Sequence, residues 1–205
     1  MANNPFPQPS PLEKVLLREL AEVAGHCYGR GWCPGTAGNF SLRGRGAVCW
    51  VSPSGVEKSS LSVASFVPVD IVTGKAVTPN APSPSLEVAV HLALYRLCPD
   101  ALVVVHAHPP HVVRATIGRT DLRFQGAEMQ KAIGCDTHLE HLNMPILPNR
   151  IPSNFGEISQ DIARLDLARV PFVILDGHGV YAWAASTQQA LGYIEAVEFL
   201  CQTTL

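Results

Sequence analysis

A chain of 205 residues, 47% of them hydrophobic, is long enough to bury one substantial core. Its formal net charge of −2 excludes a general field for nucleic acid or an anionic membrane, and no apolar run approaches a membrane span. Six cysteines (Cys27, Cys33, Cys49, Cys98, Cys135, Cys201) form no C-x-x-C pair, so they are neither a zinc knuckle nor a disulfide framework and read as reduced thiols of a cytoplasmic protein.

Residues 1–10 are polar and proline-rich. They are expected to be a poorly ordered tail rather than a signal peptide, with residues 11–205 as one domain. Ser10-Pro11-Leu12-Glu13 is a capping-box pattern with proline at the first helical position, and Leu16, Leu20, Val23 and Cys27 continue it as an amphipathic helix. Gly29, Gly31, Pro34 and Gly35 end that helix. The segment Gly35 to Arg43 begins as a glycine-rich turn and passes into an alternating strand, with Ala47 to Ser52 as its antiparallel partner. Ser52 to Lys58 is a loop of small hydroxyl residues, and Phe66 to Ile71 is a third strand. A stiff loop, Asn80 to Ser85, precedes a mostly apolar helix from Leu86 to about Leu97, which Ser85 can cap.

Leu102 to Val105 is a continuous apolar run, the signature of a strand buried on both faces, and it leads straight into His106-Ala107-His108. Helices are expected at Pro110 to Ile117, Glu128 to Ile133 and Ile158 to Leu165, and strands at Met144 to Leu147, Phe172 to Leu175 and Val180 to Ala184. Ser186 to Gln189 is a second capping box opening a final helix with Leu191, Ile194, Val197 and Cys201 on one face. This irregular alternation predicts a three-layer α/β/α arrangement on a central mixed, largely antiparallel sheet.

The chemistry concentrates around His106 and His108. Side chains two apart on a strand point the same way, so the pair makes half of a divalent-metal site, unless both are simply polar residues at a strand end. His178, between two glycines after a buried strand, is the best third ligand; His138 and His141 are rivals in a polar loop. His111 follows two prolines a turn away, and His26 and His91 sit inside helical patterns as packing or surface residues. Glu87 and Glu128 each open a helix, so each is either a proton-transfer group or a carboxylate favoured by the helix dipole. Thr36, Gly38 and Asn39, with Ser54, Gly55 and Ser85, offer short donors and backbone N–H groups to an anion such as phosphate, although turn chemistry also explains them.

Five blocks in this order, G-T-A-G-N-F-S, S-P-S-G, P-S-x-E, H-x-H and H-G, resemble the class II aldolase and adducin superfamily from about Leu12 to Leu200. Gly29-Arg-Gly-Trp32, Ser52 to Lys58, Gly126 to Gly134 and Gly177 to Trp183 most resemble its branch that removes water from 5-methylthioribulose 1-phosphate in methionine salvage. The resemblance implies a class II aldolase-like catalytic domain and one zinc ion per subunit on His106, His108 and His178. It implies Glu128 as catalytic acid/base. In the sugar-phosphate aldolases that role falls to the P-S-x-E glutamate, here Glu87, so Glu87 is the second candidate. It further implies a sugar-phosphate substrate held by Thr36, Gly38, Asn39, Ser54, Gly55 and Ser85, with Lys58 nearby, and a homotetramer with sites near subunit boundaries. Three departures stand out: His-Ala-His-Pro-Pro at the metal motif, a longer segment at 149–156, and Ala184 where glycine is usual. The rival readings are a fuculose- or ribulose-phosphate type aldolase or 4-epimerase, and an adducin-like interaction domain without catalysis.

Overall fold

The structure, a computed structural model, describes residues 7–85, 87–151, 155–167 and 169–204. Most of the expected tail, Leu86, and the centre of the expected long loop at 149–156 lie outside the described residues. Among the described residues eight strands form one sheet: β1 (Asn39–Arg43), β2 (Val48–Val51), β3 (Val67–Asp70), β4 (Val103–Ala107), β5 (Asp121–Phe124), β6 (Leu142–Leu147), β7 (Phe172–Leu175) and β8 (Gly179–Ala184). Their order across the sheet is β3-β2-β1-β4-β8-β7-β6-β5. The β6–β7 pair is parallel and the other neighbours are antiparallel, the mixed sheet that the sequence pattern predicts.

Strand alternation sorts the core into two layers. Val103, Val105 and Ala107 of β4 pack with residues of α1 (Pro11–Gly29), α3 (Pro110–Thr116) and α5 (Thr187–Thr204). Val104 faces the other way, with residues of α2 (Val88–Leu97) and α4 (Phe155–Ala163). The result is the expected α/β/α sandwich, with β4 at its centre.

Three elements differ from expectation. Asp121–Phe124 is a strand that the polar Asp121 and Arg123 disguise; both lie on the sheet's edge, where only Leu122 and Phe124 need burial. Glu128–Ile133 is a 3-10 helix, ended by Gly134 in the left-handed region. Helix α2 starts at Val88 with Glu87 as its N-cap residue, and Ser85 Oγ accepts from the Glu87 backbone N–H at 3.3 Å instead of capping the helix interior. At the final helix, Ser186 Oγ accepts from Gln189 N–H at 3.3 Å, as its pattern predicts.

The first capping box does more than start a helix. Ser10 Oγ accepts from Glu13 N–H at 3.2 Å, and Glu13 Oε2 accepts from Ser10 N–H at 2.6 Å. Glu13 Oε1 also accepts from the Arg45 backbone N–H at 3.0 Å and from Trp50 Nε1 at 3.4 Å, tying α1 to the β1–β2 turn. Burial by itself would raise the carboxyl pKa, but these donors hold it down to about 2. A depressed carboxylate pKa stabilises the fold above the unfolded value and loses that contribution as pH falls through the folded one. Glu13→Gln should therefore lower the melting temperature at neutral pH by about 4–8 °C, from a charge-assisted contribution of about 2 kcal/mol. The gap between variant and parent should close as pH drops from about 4.5 toward about 2, read by thermal melts across pH.

Candidate active site

Register places Asn39 of β1 opposite His106 of β4, and His106 opposite Tyr181 of β8. These three side chains form a row across the sheet on its α2 face. His106 is fully buried and stacks on the Tyr181 ring, centroids 3.8 Å apart and planes 7° apart. The Tyr181 hydroxyl is buried with no hydrogen-bond partner among the described residues. Pro109 and Pro110 turn the chain into α3 just after His108, whose backbone N–H donates to Trp32 O at 2.8 Å. His178 stands in the turn between β7 and β8. The neighbouring Gly179 has to be glycine, because a Cβ there would collide with the Ala107 carbonyl oxygen. Gly38 is equally constrained, since a Cβ would lie 2.6 Å from Cys33 Sγ and 2.9 Å from His106 O.

The ring nitrogens are held from behind. His106 Nδ1 meets Val180 O at 2.9 Å, His108 Nδ1 meets His178 O at 2.6 Å, and the Asn149 amide meets His178 Nδ1 at 3.0 Å. Donation from Nδ1 of His106 and His108 to those carbonyls fixes the tautomer that leaves Nε2 as a lone pair. His106 Nε2 faces His178 Nε2 at 3.1 Å, and one ligand atom from each of the three histidines lies within 4.8 Å of the others. Burial pushes the pKa of His106 well below the usual imidazole range and lowers that of His108, which favours neutral, ligating rings. This donor set fits a divalent transition metal with coordination positions left open. Among the described residues this is the one such cluster. The rival histidines are engaged elsewhere: His138 with Glu128, His111 with Glu198, and His26 with Glu195. His141 receives Arg169 on its backbone oxygen.

Glu87 joins the cluster. Its carboxylate oxygens lie 3.1 Å from His178 Nε2 and 3.3 Å from His106 Nε2, and Asn39 Nδ2 donates to it. Burial would raise its pKa, but the hydrogen bonds from His178 and Asn39 and the imidazoles around it hold it well below the carboxylate range.

The loops read as a phosphate cradle also converge. Lys58 is 1% exposed, and its Nζ donates to Thr36 O at 2.8 Å and Val56 O at 2.6 Å. It therefore staples the loop before Gly38 to the loop that carries Ser54 and Gly55. Burial lowers its pKa, and the nearby Cys33 and Glu87 oppose that. A bridge between Pro53 and Pro84, with Ser54 N–H donating to Ser83 O at 3.0 Å, brings Ser85 alongside.

Glu128 is placed differently. Its side chain is 68% exposed and pairs with Lys131 at 2.7 Å and His138 at 3.0 Å. Lys131 holds its pKa below the usual value. The chain leaves the histidine end of the sheet through α3 and runs back along β5, which is antiparallel to β6. Strands β6 and β7 are parallel, and β8 opposes both β7 and β4. The segment carrying Glu128 is thus entered from the end of the sheet opposite His106. Sequence reasoning missed Asn149, Tyr181 and the buried His91 as parts of the site, because their partners are remote in sequence.

The fold and this histidine cluster define a class. Residues 18–205 match the family described as Class II Aldolase and Adducin N-terminal domain, and the chain belongs to that family. It is similar to the methylthioribulose-1-phosphate dehydratase of Enterobacter sp. (strain 638), 34% identical over 92% of this chain and 93% of that one. The enzyme of the same name from Klebsiella pneumoniae subsp. pneumoniae is 37% identical over 91% of this chain and 94% of that one. Among solved structures, L-fuculose-1-phosphate aldolase from Thermus thermophilus superposes with a TM-score of 0.73 at 26% identity, covering 91% of each chain. YgbL from Escherichia coli gives 0.79 at 26% identity, over 94% of this chain and 89% of that one.

Removing one imidazole should undo the metal centre. His178→Ala should reduce bound divalent metal from about one per chain to near zero after dialysis, read by elemental analysis, with the fold retained by circular dichroism.

Proposed function

We propose that this chain is a zinc-dependent hydro-lyase that converts 5-methylthioribulose 1-phosphate to 2,3-diketo-5-methylthiopentyl 1-phosphate, a cytoplasmic step of methionine salvage. The observation that carries the reading is the cluster of His106, His108 and His178 with the Glu87 carboxylate against two of its rings. The full-length similarity to dehydratases of that name supports it. No described helix is long and apolar enough to cross a membrane. Residues 11–205 act as one catalytic domain in this reading.

His106, His108 and His178 would hold the zinc, whose Lewis acidity toward the C2 carbonyl and C3 hydroxyl acidifies the C3 proton. Thr36, Gly38, Ser54, Gly55 and Ser85 receive the phosphate, while Asn39 beside them spends its amide on Glu87 and His91, and Lys58 keeps the loops in register while adding positive charge. Glu87, held ionised beside the cluster, removes the C3 proton. Glu128 gives a proton to the C4 hydroxyl, which departs as water. Electrons from the C3–H bond form the enediol, expel that hydroxyl, and leave an enol that tautomerises to the diketone.

Glu128 reaches the site from a neighbouring copy. Its position at the opposite end of its own sheet and its exposure favour this arrangement, and a homotetramer with sites near subunit boundaries satisfies it. One observation favours a second reading: Glu87, and not Glu128, touches the histidines within the chain, as a retro-aldol cleavage would use it.

Product analysis separates the two. Dehydration yields the diketone; aldol cleavage of the same substrate between C3 and C4 yields dihydroxyacetone phosphate and a methylthio-aldehyde. Glu87→Gln should lower kcat by about 100- to 10,000-fold and stop exchange of the C3 hydrogen in deuterium oxide. Glu128→Gln should lose dehydration by a similar factor while C3 exchange persists, as followed by proton NMR. A shared site also predicts complementation: mixed oligomers of His178→Ala and Glu128→Gln chains should recover activity that neither variant has alone.

A further inference from the structure

Helix α2 and strand β1 meet along matched stripes. Glu87, His91 and Tyr95 recur every four residues on one helix face, a rise of about 6 Å per step. Asn39 and Ser41 recur every two residues on one strand face, a rise of about 6.6 Å. The two periods nearly coincide, so the side chains interleave like teeth. Asn39 Nδ2 donates to Glu87, and Asn39 Oδ1 meets His91 Nε2. Ser41 Oγ lies 2.7 Å from His91 Nδ1 and 2.7 Å from the Tyr95 hydroxyl. Asn39, Ser41, His91 and Tyr95 are all buried to within 2% of complete burial.

The direction of every bond in this chain follows from its first member. A carboxylate only accepts, so Asn39 has to present its NH₂ group to Glu87. Its carbonyl oxygen then faces His91 Nε2, which has to carry the proton. Burial keeps the ring neutral, its pKa pushed down to about 3, so Nδ1 is a lone pair. That lone pair accepts the Ser41 O–H, and the Ser41 oxygen accepts from Tyr95. Donors therefore point toward Glu87 along the whole chain. With the other His91 tautomer, the Asn39 carbonyl would face a lone pair. The amide would turn and press its oxygen against the carboxylate.

We infer that His91 is a positioning residue for Glu87: acting through Asn39, its Nε2–H tautomer fixes the angle at which the carboxylate is held against the histidine cluster. The consequence for turnover rests on the role proposed above for Glu87, whereas the polarity of the chain does not.

The test uses the full-length, metal-loaded protein. Long-range proton–nitrogen NMR of ¹⁵N-histidine protein should show His91 protonated at Nε2 and bare at Nδ1; protonation at Nδ1 overturns the inference. His91→Leu should lower kcat on methylthioribulose 1-phosphate roughly 10- to 100-fold with KM little changed and metal content unchanged. His91→Gln, whose amide N–H sits near the place of Nε2–H, should restore most of kcat. A folded His91→Leu with parental kcat, or equal damage from Leu and Gln, sinks the role. If His91→Leu does not fold, Asn39→Leu decides: with the link between ring and carboxylate cut, the two His91 tautomers should mix and kcat should fall, and an unchanged spectrum and rate count against the inference. A parent protein that does not turn over this substrate counts against the proposed reaction, and the ring spectrum still decides the polarity.

Discussion

Strand β4 pairs antiparallel with β1 on one side and β8 on the other, and the register of those two seams organises the site. It aligns Asn39, His106 and Tyr181 in one row on one face of the sheet. Antiparallel pairing also brings the start of β8 to the end of β4, which is why His178 in the preceding turn arrives beside His106 and His108. A slip of one residue along either seam would send one member of the row to the opposite, apolar face. Gly179, Val180 O and His178 O enforce that register from the backbone, so the ligand geometry and the sheet geometry are one constraint.

The parts of the site legible in sequence are those whose signal is local. His106 and His108 were readable because a strand's period of two converts spacing directly into convergence. Their burial followed from the Val-rich run before them, and His178 from its glycines. The two glutamates show the limit. Glu87 and Glu128 look alike in sequence, each a carboxylate opening a short helix, yet one is inside the cluster and the other two-thirds exposed with Lys131 and His138. The difference comes from strand direction, which no local pattern encodes. His91 read as a packing residue for the same reason: its partners Asn39 and Ser41 lie about fifty positions away. The strand at Asp121–Phe124 was missed because edge strands keep charged residues on the open face, and that charge masks their alternation.

The two layers of the sandwich carry different loads. On the α1–α5 face, the central strands contribute almost purely apolar side chains to the core. On the α2 face the same strands contribute Asn39, Ser41, His106 and Tyr181, all buried. Burying such groups without partners would cost several kcal/mol each, so this face depends on the hydrogen bonds that run from Tyr95 through Ser41, His91 and Asn39 to Glu87, while the Tyr181 hydroxyl stands outside them. Its fold stability and its site geometry therefore depend on the same hydrogen bonds.

That division also explains why the two carboxylates sit where they do. A carboxylate that must stay ionised in a buried site needs a fixed donor and a cationic neighbour; Glu87 has the Asn39 amide and sits against the rings that would hold the zinc. A carboxylate that hands a proton to a leaving group has the opposite requirement, since too many fixed donors would keep it from ever carrying one. Among the described residues Glu128 pairs with Lys131 and His138 at an exposed surface, so in the proposed reaction a docked copy would complete its surroundings. Under the proposed dehydration, assembly is a condition of acid catalysis: a lone chain would hold the base and the metal ligands in place, and a second copy would supply the acid and the walls that exclude water from it.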